Sequence, residues 1–364
     1  MPIEFDMPKI ESSIIKVLGV GGGGSNAVNH MFNQGIKGVD FVICNTDAQA
    51  LEQSPVPNKI QLGSNLTEGR GAGSNPEVGK KAALEDLEAL KKILSNNTKM
   101  LFITAGMGGG TGTGAAPIIA QASQELGILT VGIVTTPFKF EGKRRQERAL
   151  EGIEELSKTV DTLLIISNER LRELSGNIAL STAFSNADNI LTTAAKGIAE
   201  IITVPGYINV DFEDVKTVMS NSGAAIMGSA MAEGDNRALK AVEQAIHSPL
   251  ISGNSIRGAK YILLNISSGS KEVTMDEITE ITDFITNESD SDVDVIWGNC
   301  IDENLGDNLS VTIIATAFES PKEQVKEEIN RLQQNRSRQI SLFNESRREE
   351  SQENHADETL TEET

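Results

Sequence analysis

Residues 106 to 117 read Gly-Met-Gly-Gly-Gly-Thr-Gly-Thr-Gly-Ala-Ala-Pro, a composition suited to holding phosphate. Glycine reaches positive φ and lets successive amides converge on an anion, while Thr111 and Thr113 add hydroxyl donors. The apolar segment from Ala115 predicts a helix starting between Ala115 and Pro117, whose free amides and dipole favour the same negative charge. Proline fits that first turn, which has no use for its missing N–H. The alternative is a flexible linker, but linkers seldom separate a strand pattern from a helix start. No lysine lies within the loop, which excludes Gly-x-x-x-x-Gly-Lys-Ser/Thr.

A second glycine loop, Gly21 to Asn26, follows the apolar run Ile14 to Val20 and precedes Ala27, Val28, Met31 and Phe32 at helical spacing. Gly19, Gly21 and Gly24 satisfy the dinucleotide fingerprint Gly-x-Gly-x-x-Gly, and Asp47 after the next strand supplies an acid for a ribose hydroxyl. A dinucleotide needs one glycine turn at its pyrophosphate. Two such loops on strand ends suit a mononucleoside di- or triphosphate better, which sets an NAD oxidoreductase as the rival reading. Further on, Asn209, Asp211, Glu213 and Asp214 cluster before a helical pattern. By default such acids cap a helix and complement its dipole. Hydrolysis of a bound nucleotide needs a group to orient water, and carboxylates can do so.

The paired loops carry a resemblance. Gly106 to Pro117, Gly19 to Asn26, Asn45 to Leu51, Gly71 to Glu77, Pro137 to Lys143 and Asn209 to Asp214 together resemble the tubulin/FtsZ superfamily across about residues 12 to 318. The resemblance implies an α/β fold: a Rossmann-like GTP-binding domain with a parallel sheet (13–179), a long central helix (180–204), a smaller α+β domain (205–319) and a disordered charged tail (320–364). It assigns Gly22, Gly23, Gly24, Ser25 and Asn26, with Gly109, Gly110, Thr111, Gly112 and Thr113, to the phosphates. Glu141 and Arg145 fall on the sugar side, Asp188 at the base, and Asn75 to Glu77 near the γ-phosphate. An acid at 188 would accept from N1–H and the 2-amino group of guanine, which adenine lacks. Without the resemblance, Glu141 and Arg145 read as part of a solvated charged face.

The same resemblance makes Asp211 and Asp214 catalytic acids that act on the nucleotide of a neighbouring subunit, with Asn209 in the same loop. It implies GTP and GDP as ligands, Mg2+ on the phosphates, a head-to-tail homopolymer, and cell-division adaptors and membrane tethers at a mid-cell ring. The last residues, Asp357 to Thr364, lack the apolar and basic docking peptide usual in division proteins of the family; Ile340 to Phe343, flanked by Arg336, Arg338, Arg347 and Arg348, is the candidate substitute. A plasmid- or phage-partitioning relative of tubulin would share the loops and differ in partner.

These residues need a scaffold. Strand patterns at 14–20, 39–44, 100–104, 128–135 and 161–167 alternate with helical stretches at Pro76 to Leu94, Ala115 to Leu126 and Arg144 to Leu156. That alternation predicts a parallel sheet with ligands outside the carboxyl ends of its strands. Leu180, Phe184, Ala187, Leu191, Ala194, Ile198 and Ile201 recur at steps of three and four, giving one amphipathic helix over Leu180 to Thr203, and further apolar positions broaden its stripe. Beyond it, strands are expected at 259–267, 293–300 and 310–318, and Thr274 with Glu277 forms a capping box before a helix to Thr286.

Composition bounds function. The chain has 364 residues, 32 Lys and Arg against 52 Asp and Glu, and a net charge of −20, which disfavours nucleic acid and anionic lipid. The first residues carry no basic-then-apolar leader and no run approaches the ~20 apolar residues of a membrane span, so a cytoplasmic protein without membrane insertion is expected. Cys44 and Cys300 read as buried small hydrophobes, and His30, His247 and His355 lack metal-ligand spacing, so no protein-held metal is expected.

Overall fold

Short apolar runs that alternate with helical repeats fold here into parallel strands crossed by helices. The computed structural model describes residues 12–176, 178–204, 206–208, 210–248, 256–289 and 293–318. Residues 1–11, Asn209 and the expected tail at 320–364 lie outside them. The first part of the chain runs β1 (Ile15–Val20), α1 (Gly21–Asn33), β2 (Val39–Asn45), α2 (Ala48–Glu52), β3 (Asn58–Gln61), α3 (Ser64–Thr67), α4 (Pro76–Glu85), α5 (Leu87–Leu94), β4 (Met100–Gly106), α6 (Thr111–Glu125), β5 (Leu129–Thr136), α7 (Lys143–Ser157), β6 (Thr162–Ser167) and α8 (Asn168–Ser175). Then come α9 (Leu180–Thr203), α10 (Phe212–Met219), β7 (Gly223–Ala232), α11 (Arg237–Ile246), β8 (Tyr261–Ser268), α12 (Met275–Glu288), β9 (Asp294–Ile301) and β10 (Leu309–Thr316).

The strands form one ten-stranded sheet in the order β3-β2-β1-β4-β5-β6-β7-β10-β8-β9. From β3 to β7 every pairing is parallel, so helices must return the chain across the faces. That cover buries all six residues of β1 and explains its unbroken apolar run. Strand β7 joins two regions: its first residues pair in parallel with β6 at Thr162↔Gly223, and its later ones pair antiparallel with β10 at Ser229↔Thr312. One apolar core packs α1 and α9 on Val17, Phe102 and Val131; a second packs α11 and α12 on Leu264 and Val311. Each fully buried aliphatic side chain of this kind contributes about 1.5–3 kcal/mol.

Several boundaries differ from the sequence reading. The stretch Pro76 to Leu94 is two helices, because Asp86 leaves helical geometry and its carboxylate accepts the Gly63 amide at 2.6 Å. Strand β7 and α11 were not expected at all. The capping box is present: Thr274 Oγ1 accepts from Glu277 N, and Glu277 Oε2 accepts from Thr274 N at 2.8 Å. Glu277 also receives the buried guanidinium of Arg237, which donates to Oε1 at 2.6 Å and to the carbonyls of Lys271, Glu272 and Asp307. No helix among the described residues is long and apolar enough to cross a membrane.

Candidate functional site

Both glycine loops sit at carboxyl ends of neighbouring strands, since β1 pairs with β4 through Val20↔Ala105. Helix α1 starts at Gly21 and α6 at Thr111, and their first turns meet backbone to backbone. A Cβ on Gly21 would lie 2.8 Å from Gly112 N, and one on Gly112 would lie 2.7 Å from Gly106 O. Only glycine permits that approach. Gly22 and Gly109 instead face open space, with nothing within 4 Å of a built Cβ. Neither helix has a side-chain cap or an acid in its first turn. Two sets of unclaimed amides and two helix dipoles therefore converge on one opening, which is an anion cradle.

Helix α6 begins at Thr111, not between Ala115 and Pro117. The glycines and threonines themselves form its first turn, and Pro117 lies inside the helix, where it removes the bond to the Thr113 carbonyl. The two threonines also act differently from a simple pair of donors. Thr111 Oγ1 meets Thr46 Oγ1 at 2.7 Å, whereas Thr113 Oγ1 accepts from Gly108 N at 2.9 Å, and a Cβ on Gly152 of α7 would lie 2.4 Å from its methyl carbon. Thr113 thus braces the loop. Gly24 and Ser25 are buried beneath Gly22, Gly23 and Asn26, which are exposed. Asn75 caps α4 and its amide abuts Gly110, which brings the 71–75 loop against the cradle.

Next to the cradle stand the expected sugar and base residues. Glu141 Oε1 accepts from Phe138 N at 2.9 Å and its Oε2 from Arg145 Nη1 at 2.5 Å, so the two charged residues hold each other against the loop. The Arg145 carbonyl lies 2.5 Å from where a Cβ on Gly108 would sit. Phe138, just past β5, packs edge-on against Phe184 of α9 with centroids 5.1 Å apart. One turn along α9 is Asp188, half-buried, whose carboxyl burial pushes up to about 6 while the nearby His30 charge pulls the other way. Leu180 and Phe184, the first members of the apolar stripe read from periodicity, are 58% and 42% exposed at this end. Sequence reasoning missed Asn168: it follows β6 directly, is 5% exposed, and its Oδ1 has no partner among the described residues. A buried orphan acceptor beside a ligand opening fits a donor from the ligand, and no sequence motif marks it.

The acidic loop leads into α10, which ends at the amino end of β6, opposite the strand ends that carry the cradle. Helix α9 runs from Phe184 at the carboxyl ends to Thr203, whose Oγ1 donates to the Lys37 carbonyl at 3.3 Å and which packs on Gly38, just before β2. At ~1.5 Å per residue that path is about 30 Å. The following turn is pinned to β9, with Ile208 N donating to Asn299 Oδ1 at 3.0 Å. Asp211 then caps α10, accepting from Asp214 N at 2.9 Å, and α10 ends beside Thr162, the first residue of β6. Asp211 and Asp214 are exposed. Capping occupies Asp211 Oδ1, and among the described residues its other oxygen and the Asp214 carboxylate have no partner. Asp47, the acid an NAD reading requires, is spent as the cap of α2, accepting from Gln49 N and Ala50 N.

Residues 14–176 match the family model described as Tubulin/FtsZ family, GTPase domain, and residues 223–319 match the one described as FtsZ family, C-terminal domain. The chain is 51% identical over 318 residues to the cell division protein FtsZ of Buchnera aphidicola subsp. Baizongia pistaciae, covering 87% of this chain and 81% of that one. The cell division protein FtsZ of Wigglesworthia glossinidia brevipalpis is 50% identical over the same shares. Among solved structures, an empty FtsZ dimer from M. jannaschii superposes with a TM-score of 0.80 at 42% identity, covering 84% of this chain and 88% of that one. CetZ2 from Haloferax volcanii, at 20% identity and a TM-score of 0.71, shares the fold. With an uncapped double glycine cradle, a spanning helix and both domains matched in order, this chain belongs to the FtsZ family of tubulin-like GTPases.

Proposed function

We propose that the chain is a GTPase that polymerises head to tail into dynamic filaments and forms the cytokinetic ring at the bacterial division site, with hydrolysis completed by the next subunit. One observation supports this: the cradle lies at the carboxyl ends of the parallel strands and α10, which follows the acidic loop, ends at the amino end of β6, with the length of α9 between them. No subunit can bring its own Asp211 to its own nucleotide. Stacking one subunit on the next sets Asp211 and Asp214 of one over the γ-phosphate held by the other. There a carboxylate orients the attacking water and accepts its proton, Asn209 adds a polar group, and the amides of α1 and α6 stabilise the charge that develops.

Such a contact is heterologous and does not close, so it builds a filament. Exposed Phe140 and Leu180 beside the cradle, and Tyr207 and Ile208 beside the acidic loop, supply apolar area for it. The solved relative from M. jannaschii is itself described as a dimer. Among the described residues no group of three His, Cys, Asp or Glu side chains is placed to hold a metal. Any Mg2+ would ride on the phosphate oxygens and water, and no step here runs through it. Adaptor and tether proteins in the cytoplasm are the partners a mid-cell filament needs. The test is turnover per subunit across a wide dilution series: a steep rise with protein concentration is expected, and a flat profile overturns the shared site.

A further inference from the structure

The opening lies along successive strand ends. The glycine loops follow β1 and β4, the turn 137–142 with Glu141 follows β5, and Asn168 follows β6. Strands β5 and β6 pair through Thr136↔Ser167, which sets the last two side by side. The turn is closed by bonds within it: the amides of Phe138, Glu141 and Gly142 donate to Glu141 Oε1, the Phe138 carbonyl and the Lys139 carbonyl. Lys139 N instead donates outside it, to Glu169 Oε2 at 3.0 Å, 30 residues further on.

Glu169 stands in the first turn of α8, where an acid ordinarily complements the helix dipole and faces water. Here it is 8% exposed. Its Oε1 accepts from Arg172 Nε at 2.8 Å and lies 3.5 Å from Lys139 Nζ. Burial opposes its charge, yet the Lys139 amide and the Arg172 guanidinium hold its carboxyl below the usual range. A buried carboxylate with donors on both oxygens is a firm anchor. The other fastening of the turn is softer, because Arg145, which holds Glu141, keeps nearly half of its side chain in solvent. Past Glu141 the chain enters α7 through Gly142, at φ 96°, a conformation open to glycine.

We infer that Glu169 is a positioning residue for the sugar: its grip on the Lys139 amide fixes the turn that presents Glu141, and so sets how tightly the ribose hydroxyls are held. This rests on the reading that Glu141 meets the sugar. A hydrogen bond does not survive a shift of about 1 Å, so a turn released from Glu169 keeps its internal bonds and loses its aim.

The test compares GDP with 2′,3′-dideoxy-GDP, which share phosphates and base and differ in the ribose hydroxyls. Wild type should prefer GDP by about tenfold or more, the worth of a hydrogen bond to a carboxylate. Glu169→Ala should cut that preference to about threefold or less. Glu169→Gln, whose side-chain carbonyl still accepts from Lys139 N, should keep most of it. In a Glu141→Ala background, Glu169→Ala should change the ratio no further. An unchanged ratio in Glu169→Ala, Glu169→Gln behaving like Glu169→Ala, or a further loss on top of Glu141→Ala each overturns the role of Glu169. A ribose preference retained by Glu141→Ala, or absent from the wild type, overturns the reading of Glu141 instead. Thermal unfolding runs alongside: a merely structural role lowers the melting temperature of Glu169→Ala and leaves the ratio of the folded protein intact, which also overturns the proposal.

Discussion

Thr46, just past β2, and Thr111, the first residue of α6, meet hydroxyl to hydroxyl at 2.7 Å with both side chains buried. The Thr46 carbonyl also accepts the Gly71 amide at 3.1 Å, so one residue ties the 71–75 loop to the cradle. Removing one hydroxyl strands the other. Thr111→Val should therefore cost about 1–3 kcal/mol of stability, while Thr46→Val with Thr111→Val should be nearer neutral because no orphan remains. Both variants should bind GDP more weakly than Thr46→Val alone. Denaturant unfolding and GDP titration check the pattern, and equal affinities in all three would remove Thr111 from the cradle.

Glycines that look alike in sequence divide into two kinds. A Cβ on Gly114 would lie 1.9 Å from the Pro76 carbonyl oxygen, so Gly114→Ala must push α4 away from α6 and carry the 71–75 loop with it. A loss of several kcal/mol and of nucleotide binding together is expected. Gly22→Ala and Gly109→Ala meet nothing, and neither residue has positive φ. Those two should fold with normal stability and lose GDP affinity, because the new methyl enters the phosphate opening. Wild-type affinity in both would mean that the opening is not where phosphate sits.

Asp211 caps α10 as well as carrying the proposed catalytic carboxylate, and substitution separates the two. Asparagine caps as well as aspartate, so Asp211→Asn should leave stability within about 0.5 kcal/mol of wild type, whereas Asp211→Ala should cost ~1 kcal/mol. Both should retain GTP binding in the free subunit and lose about a hundredfold or more in turnover. Mixed with wild type, either should slow the wild-type subunits it stacks on. Normal turnover in Asp211→Asn, or weakened GTP binding by the monomer, would contradict action on a neighbour.

Much of this architecture is written locally. The unbroken apolar runs of β1 and β4, each entering a glycine loop, declare buried parallel strands with a ligand end, and Thr274 with Glu277 declares the start of α12. What stays hidden depends on distant partners. Strand β7 reads Gly-Ala-Ala-Ile-Met-Gly-Ser-Ala-Met-Ala, with few β-favouring side chains, and is a strand because β6 and β10 flank it. Pro117 misplaces the start of α6 because its usual first-turn position is overridden by the tight α4 contact at Gly114. Asp86 breaks a helix to reach Gly63, 23 residues away, and Asn168 matters through a burial that spacing cannot express.

Asp188 is poised at a cost that the free protein bears. Its carboxyl is raised from the ordinary 3.8 to about 6 by burial, so between those values the folded chain binds more protons than the unfolded one. Stability must then fall as pH rises through that window, and the penalty persists above it. Asp188→Asn has no charge to bury. In the absence of nucleotide it should melt a few degrees higher than wild type at pH 7.5, and the gap should close below pH ~4, where both side chains are neutral. The same substitution should erase the preference for guanine, so stability and selectivity move in opposite directions. A melting temperature unchanged or lowered at pH 7.5 would show that water already solvates this acid, and that the pressure on its charge comes from something other than burial.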